Sequence, residues 1–264
     1  MASNTDESSP NPYAAPVPVD AVPEQDWGTG TVIGNAWKIY AEHFRLFGLV
    51  ALLVWLPIEV VMVLWDDLLL ESSGVSGWLL NIIFAFATQW LPEAIALCIA
   101  RSVIAKEKPT FRNSFRQGVG VWLWLAWTNL IATIVVSLGF ILLIVPGIFL
   151  SIRFSLCNAV VVDERLKGTV AMRRSFDMTG SHFWPLLGLT ALMIAVVAGL
   201  SSIDLLISGP IQVHSNWTTS LGWQVTMAVI QDTLMIFPSL CFYFYYHRIK
   251  MDEVTLEPLV PAAS

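Results

Sequence analysis

Residues 120–162 read GVWLWLAWTNLIATIVVSLGFILLIVPGIFLSIRFSLCNAVVV, an apolar run whose interpretation decides the topology of the chain. A helix rises 1.5 Å per residue, so about 20 apolar residues cross a hydrocarbon core of about 30 Å. This run is long enough to cross twice. Its Pro146-Gly147 pair reads either as a kink in one helix or as a turn between two.

The rest of the 264-residue chain shows the same character. Its hydrophobic fraction is 56% and its charged fraction 13%, against roughly 45–50% and about 25% in soluble domains. Such a surface needs lipid as its solvent. Further apolar blocks at about 46–66, 78–100, 184–207 and 221–246 flank the central pair, 120–143 and 146–162.

Positive charge chooses between five and six spans, because Lys and Arg gather in short cytoplasmic loops. With six spans, every Lys and Arg except Arg153 falls on one side, whereas the intervening loops 67–77, 144–145 and 208–220 contain neither. A five-span chain would send Arg165, Lys167, Arg173 and Arg174 to the opposite side. The sequence therefore predicts an all-α, polytopic membrane protein of six transmembrane helices in the cell membrane, with both termini cytoplasmic.

Residues 1–28, with five prolines among Ser, Asn, Ala and acids, read as a disordered cytoplasmic tail in which Asn11-Pro12-Tyr13 is a possible protein-docking peptide. Residues 29–250 form the transmembrane domain, and 251–264 a short cytoplasmic tail. No cleavable signal peptide precedes the first apolar block, so that block directs insertion. Short mixed segments at 31–44, 110–118 and 167–182 precede the three pairs of spans and read as interfacial helices. Aligning Ala36-Trp37, Ser114-Phe115 and Ser175-Phe176 suggests a weak threefold repeat of one such helix plus one hairpin.

Ionisable groups inside a membrane cost about 2.5–3.5 kcal/mol each on translocon scales, so Glu59, Glu93, Arg153, Asp204 and Asp232 require a reason. Asp204 falls at the outer surface by residue count. Glu59, roughly 20 Å from the cytoplasmic side, and Arg153, roughly 10 Å below the outer surface, share nearly one plane with Asp232. Arg153 is therefore expected to pair with Glu59, or else with Asp232. Pro57 and Pro92 precede Glu59 and Glu93, and prolines free carbonyls and kink helices. Gln89, Glu93, Glu59, Asp232 and Arg153 form a candidate intramembrane polar site, and the alternative reading is that they only fix packing.

The remaining polar groups have simpler explanations. His43, His182 and His247 fall at the cytoplasmic interface, and Trp37, Trp65, Trp78, Trp122, Trp184 and Trp223 near span ends form an aromatic belt. Arg112, Arg116, Arg173 and Arg174 are candidate contacts for anionic lipid headgroups. Cys98, Cys157 and Cys241 lie in apolar blocks without metal spacing and read as small hydrophobes. Phosphate loops, zinc-protease helices and nucleophile elbows are absent from the sequence. No catalytic centre, metal or cofactor is predicted, and no nucleic-acid partner, since a basic groove with interleaved aromatics is missing.

From Pro146 to Pro185 the chain reads PGIFLSIRFSLCNAVVVDERLKGTVAMRRSFDMTGSHFWP. This stretch resembles the membrane domain attached to some glycerophosphoryl diester phosphodiesterases and its stand-alone bacterial relatives of uncharacterised function. The resemblance rests on Pro146, Gly147, Ile148, Arg153, Glu164, Ala171, Ser175, Gly180 and Trp184. It implies a six-span architecture. It does not imply hydrolysis, because the family's soluble barrel domain has no room in this chain. The functional expectation is a non-enzymatic scaffold or lipid-associated envelope factor whose partners are membrane lipids. The rival is a small-solute permease using the intramembrane carboxylates and Arg153, and an intramembrane enzyme stands a distant third.

Overall fold

The computed structural model describes residues 29–62, 74–214 and 217–256. The N-terminal tail, the 63–73 connection, residues 215–216 and the chain after 256 lie outside the described residues, as do the side chains of Asp204 and Asp232. Among the described residues all regular structure is helical.

In chain order the helices are α1 (Thr29–Glu42), α2 (Phe44–Met62), α3 (Gly74–Ile104), α4 (Phe111–Leu142), α5 (Ile144–Arg153), α6 (Cys157–Asp163), α7 (Thr169–Met178), α8 (Phe183–His214) and α9 (Trp217–Leu256). Six spans are long and apolar enough to cross a membrane, and α5 and α6 together make one of them, Ile144–Asp163.

The run at 120–162 is thus two spans, but its turn lies before the proline. Helix α4 ends at Leu142, and Leu143 alone turns extended, with φ −163° and ψ 144°. Pro146 then occupies the first turn of α5, where its missing N–H would have had no intrahelical partner anyway. Gly147 is needed for proximity: a Cβ there would meet the Phe140 ring at 2.4 Å, and a Cβ on Gly139 would lie 3.1 Å from Gly147 Cα. The two glycines let the arms of the hairpin touch.

The second break in this stretch, at Phe154–Leu156, separates α5 from α6. Broken helices expose carbonyls that lipid cannot satisfy. Here the Arg153 carbonyl accepts hydrogen bonds from Ser175 Oγ (2.8 Å) and Thr179 Oγ1 (3.4 Å), and the Ile152 carbonyl accepts one from Ser155 Oγ (2.8 Å). Helix α7 is what seals the break. Its buried face is Ala171, Met172, Ser175 and Met178, while Val170 is exposed. The buried face of α7 is therefore narrower and more polar than a simple interfacial helix requires.

Of the three expected interfacial segments, two are separate helices, α1 and α7, whereas 111–118 is continuous with α4. Nothing in Phe111–Leu142 interrupts the ladder. At the other end, α9 runs past the expected boundary at 250 to Leu256, because no breaker occurs before Pro258.

The core lies along the second helix of each pair. Every residue from Ala94 to Ala100 in α3 is buried, as are Ala159–Val162 in α6 and Leu240, Cys241 and Tyr243–Tyr246 in α9. These three helices touch one another. The first helices of the pairs add one buried face each, through Phe47, Val50 and Val54 in α2, Val121 and Leu125 in α4, and Leu186 and Leu189 in α8, while Ile141–Val145 at the α4–α5 tip are 67–79% exposed. Five consecutive large apolar side chains are stable in that state only against hydrocarbon.

Candidate intramembrane polar site

The three central helices carry two polar layers. The first lies at the bundle's charged end. Asp163, its side chain 10% exposed, pairs with Lys250, lies 3.5 Å from Arg101 Nε and accepts a hydrogen bond from Tyr246 at 3.0 Å. Beside it, Glu164 accepts from Tyr246 at 2.8 Å and lies 3.4 Å from Arg174 Nε, and Arg174 also pairs with Glu253. Burial alone would lower the Arg174 pKa, but the hydrogen bond to Glu253 and the charge of Glu164 outweigh it and raise the pKa above the ordinary guanidinium value. Each acid here has a cation.

The second layer is about 12 Å deeper, eight residues along α3 from Arg101 to Glu93. Glu93 and Ser239 each follow a proline inside a long helix, Pro92 in α3 and Pro238 in α9. Each proline removes a backbone N–H and leaves the carbonyl four residues earlier without its partner. Ser239 Oγ donates to Glu93 Oε1 at 3.0 Å and Asn158 Nδ2 donates to the same oxygen at 2.8 Å. Asn129 Nδ2 in turn donates to Asn158 Oδ1 at 2.7 Å. The chain of amides and hydroxyl joins α3, α4, α6 and α9, and among the described residues no cation pairs with Glu93.

A cavity of about 100 Å³ adjoins this layer. Its polar lining is Glu93, Gln89, Ser239 and Trp55, and its apolar lining Ala96, Met235 and Ile236. Trp55 ends a π-helical stretch, Ala51–Trp55, within α2. Such bulges displace a side chain from its α-helical bearing and are frequent at functional sites. The Trp55 indole N–H is buried with no acceptor among the described residues.

The structure thus brings together Glu93 and Gln89 from the expected set and separates Arg153 from them. The expected Arg153–Glu59 ion pair is not formed. Arg153 Nη1 donates to the Phe176 carbonyl at 3.1 Å, and its guanidinium lies 4.9 Å from the Phe149 ring centroid and 4.5 Å from that of Phe176. The reason is topological: the break after Arg153 admits α7, whose aromatic and backbone groups reach the guanidinium before any acid on α2. Glu59 is half-buried on α2 and has an interaction of its own. The Asp232 alternative concerns a side chain outside the described ones.

Residue-type reasoning missed Asn129, Asn158, Ser239 and Trp55. A signal existed for the amides, since Asn inside an apolar span needs a partner for the same reason a carboxylate does. The basic face was also only partly foreseen. Arg112, Arg116 and Arg173 are exposed and form no ion pair among the described residues, whereas Arg174, the fourth candidate headgroup contact, is partly buried and pairs with Glu164 and Glu253.

Exposed Arg165 and Lys167 instead line a groove of about 210 Å³ with Gly120, Val121, Trp124, Val161 and Leu166. Lys167 Nζ lies 4.0 Å from the Trp124 ring centroid. The return that presents them has left-handed backbone at Arg165 (φ 58°) and Gly168 (φ 55°), and Gly168 N donates to Thr128 Oγ1 at 2.9 Å. Compared with family profiles, curated proteins and solved structures, the chain matches none.

Proposed function

We propose that the chain is a non-enzymatic, lipid-associated scaffold of the cell membrane, with both termini cytoplasmic and its charged end at the inner leaflet. The observation that carries this reading is the groove between α4 and the α6–α7 return. It offers two cations that form no ion pair among the described residues, an indole and an apolar floor in one place, which suits a lipid phosphate above the first carbons of an acyl chain. Arg112 and Arg116 on α4 and Arg173 on α7 add exposed cations on the elements that flank the groove. The resemblance to the phosphodiesterase membrane domain enters this proposal only as an architecture, and the tail at 1–28 as a site for a protein partner.

The test is lipid retention. Native mass spectrometry of the purified protein is expected to find bound anionic phospholipid. The Arg165→Gln/Lys167→Gln variant, losing roughly 1 kcal/mol per cation, is expected to retain about thirtyfold less. Equal retention by wild type and variant overturns the proposal.

A permease for a small solute is the second reading, favoured by the cavity beside Glu93. Flux across reconstituted vesicles, abolished by Glu93→Gln, would replace the scaffold reading with this one.

A further inference from the structure

We infer that the groove between α4 and the α6–α7 return is selective for a membrane lipid whose headgroup ends in an unsubstituted phosphate, phosphatidic acid being the simplest. The inference rests on the lipid-associated reading above and narrows it from anionic phospholipids in general to the phosphomonoester class.

The polar chemistry of the groove runs one way. Its polar side chains are Arg165, Lys167 and the Trp124 indole, and all three are hydrogen-bond donors with no acceptor. Arg165 and Lys167 are exposed, so a ligand reaches both. Neither forms an ion pair among the described residues. The acids nearest in the chain, Asp163 and Glu164, are held by Lys250, Arg101 and Arg174. The groove therefore presents two positive charges and no negative one, and the ligand that balances it carries two negative charges on acceptor atoms alone.

A phosphomonoester meets that description. It has three acceptor oxygens and a charge of about −1.5 to −2 near neutral pH. A phosphodiester headgroup carries a single charge and leaves one cation without a counter-charge. The alcohol esterified to it adds hydroxyl or ammonium donors, which meet only other donors here. A choline group would also compete with Lys167, whose Nζ already lies 4.0 Å from the Trp124 ring centroid.

The backbone of the return favours the same chemistry. Arg165 stands at φ 58°, a region that L side chains seldom adopt. A glycine would make that turn with less strain, so what the arginine brings to the position is its guanidinium, whose planar fork matches phosphate oxygens. Strained residues of this kind cluster at ligand sites. The floor of the groove, Val121, Val161 and Leu166, is apolar, which assigns the phosphate to a lipid rather than to a soluble ester.

The experiment offers the full chain, purified in detergent, equal amounts of dioleoyl phosphatidic acid and dioleoyl phosphatidylglycerol, and native mass spectrometry reads the bound lipid. At about pH 7.5 phosphatidic acid is expected to be retained about fivefold over phosphatidylglycerol, the effect of one further charge pair at a membrane surface. At about pH 5, below the second phosphate pKa of about 6, the preference should fall to less than about twofold. That change belongs to the ligand, since the lining has no histidine or carboxylate and the charged groups on the adjoining turns are Arg116, Asp163, Glu164 and Arg173.

Arg165→Gly relieves the left-handed turn and should lower phosphatidic acid retention about fivefold with no fall in melting temperature. Lys167→Gln should lower it by a similar factor. Glycerol 3-phosphate at the concentration of the lipids should displace neither of them. Equal retention of the two lipids at the higher pH, with both lost in the variants, overturns this inference and leaves the lipid-associated reading standing. So does a preference unchanged at the lower pH, or displacement by glycerol 3-phosphate. Retention of neither lipid, or retention that both variants leave unchanged, overturns the inference and the reading together.

Discussion

The two polar layers of the bundle are built by the same three helices and follow opposite rules. At the charged end, Arg101, Lys250 and Arg174 balance Asp163, Glu164 and Glu253, with Tyr246 bridging Asp163 and Glu164. Some 12 Å deeper, Glu93 is held by an amide and a hydroxyl. The difference follows from distance to water. Near an interface, ions keep part of their hydration and long cationic side chains reach it, whereas at depth a second ion would add its own desolvation cost. Neutral donors satisfy the carboxyl there at less expense.

Substitutions distinguish the two layers. The largest effect is expected at Asp163. Asp163→Leu strands Arg101 and Lys250 and should destabilise the protein by about 3–5 kcal/mol, read as a fall in melting temperature in detergent. A loss below about 1 kcal/mol would mean that the cations at this end are adequately solvated without it.

At the deeper layer the effect should be smaller and should depend on chemistry rather than charge. Glu93→Leu leaves Asn158 and Ser239 without their acceptor and is expected to lose about 1–3 kcal/mol. Glu93→Gln keeps an acceptor oxygen and should recover most of that stability. Equal losses in the two variants would show that the charge of Glu93, and not its hydrogen bonding, holds the layer together.

Arg153 belongs to neither layer, and its substitution tests that separation. Arg153→Leu forfeits the ring contacts and the bond to the Phe176 carbonyl, about 0.5–2 kcal/mol. A cycle with Glu59→Leu should be additive within about 0.5 kcal/mol, as for sites without a shared partner. Coupling above 1 kcal/mol would restore the direct pair that the residue types suggested.

The smallest effect is expected from deleting residues 1–28, whose proline-bearing, acidic composition shows no apolar periodicity. Melting temperature should stay within about two degrees of the full chain, given that surface changes fall within about 0.5 kcal/mol. A larger fall would mean that the tail packs against the helices.

The six spans were legible because length, hydropathy and the placement of Lys and Arg are properties of the chain alone: the run at 120–162 is twice the bilayer thickness, and keeping Arg165, Lys167, Arg173 and Arg174 on the side of the other cations required it to cross twice. The existence of a hairpin at 120–162 followed from that, but its turn did not. Pro146 stands out in the sequence, yet the chain reverses at Leu143, since a proline fits a helix's first turn as well as it fits a loop. Gly139 and Gly147 matter only because two helices meet there, and their eight-residue separation gives no hint of it.

The polar site was legible in part for the same reason. Glu93 and Gln89 are costly at depth wherever the helices go, so residue type alone flagged them. Their partners were decided by tertiary structure. Asn158 on α6 and Ser239 on α9 are distant in sequence from α3, and only the contact of the three central helices brings them to one oxygen. Depth arithmetic placed Arg153 and Glu59 in one plane but says nothing about bearing around the bundle. The break at Phe154–Leu156 and the docking of α7 set that bearing, turning Arg153 toward Phe149 and Phe176. Residue order is enough to say which segments suit lipid and which side chains there need a partner, because transfer into hydrocarbon depends on the segment alone. Which partner each one found was decided by helix packing, because a hydrogen bond or an ion pair depends on the position of two groups at once.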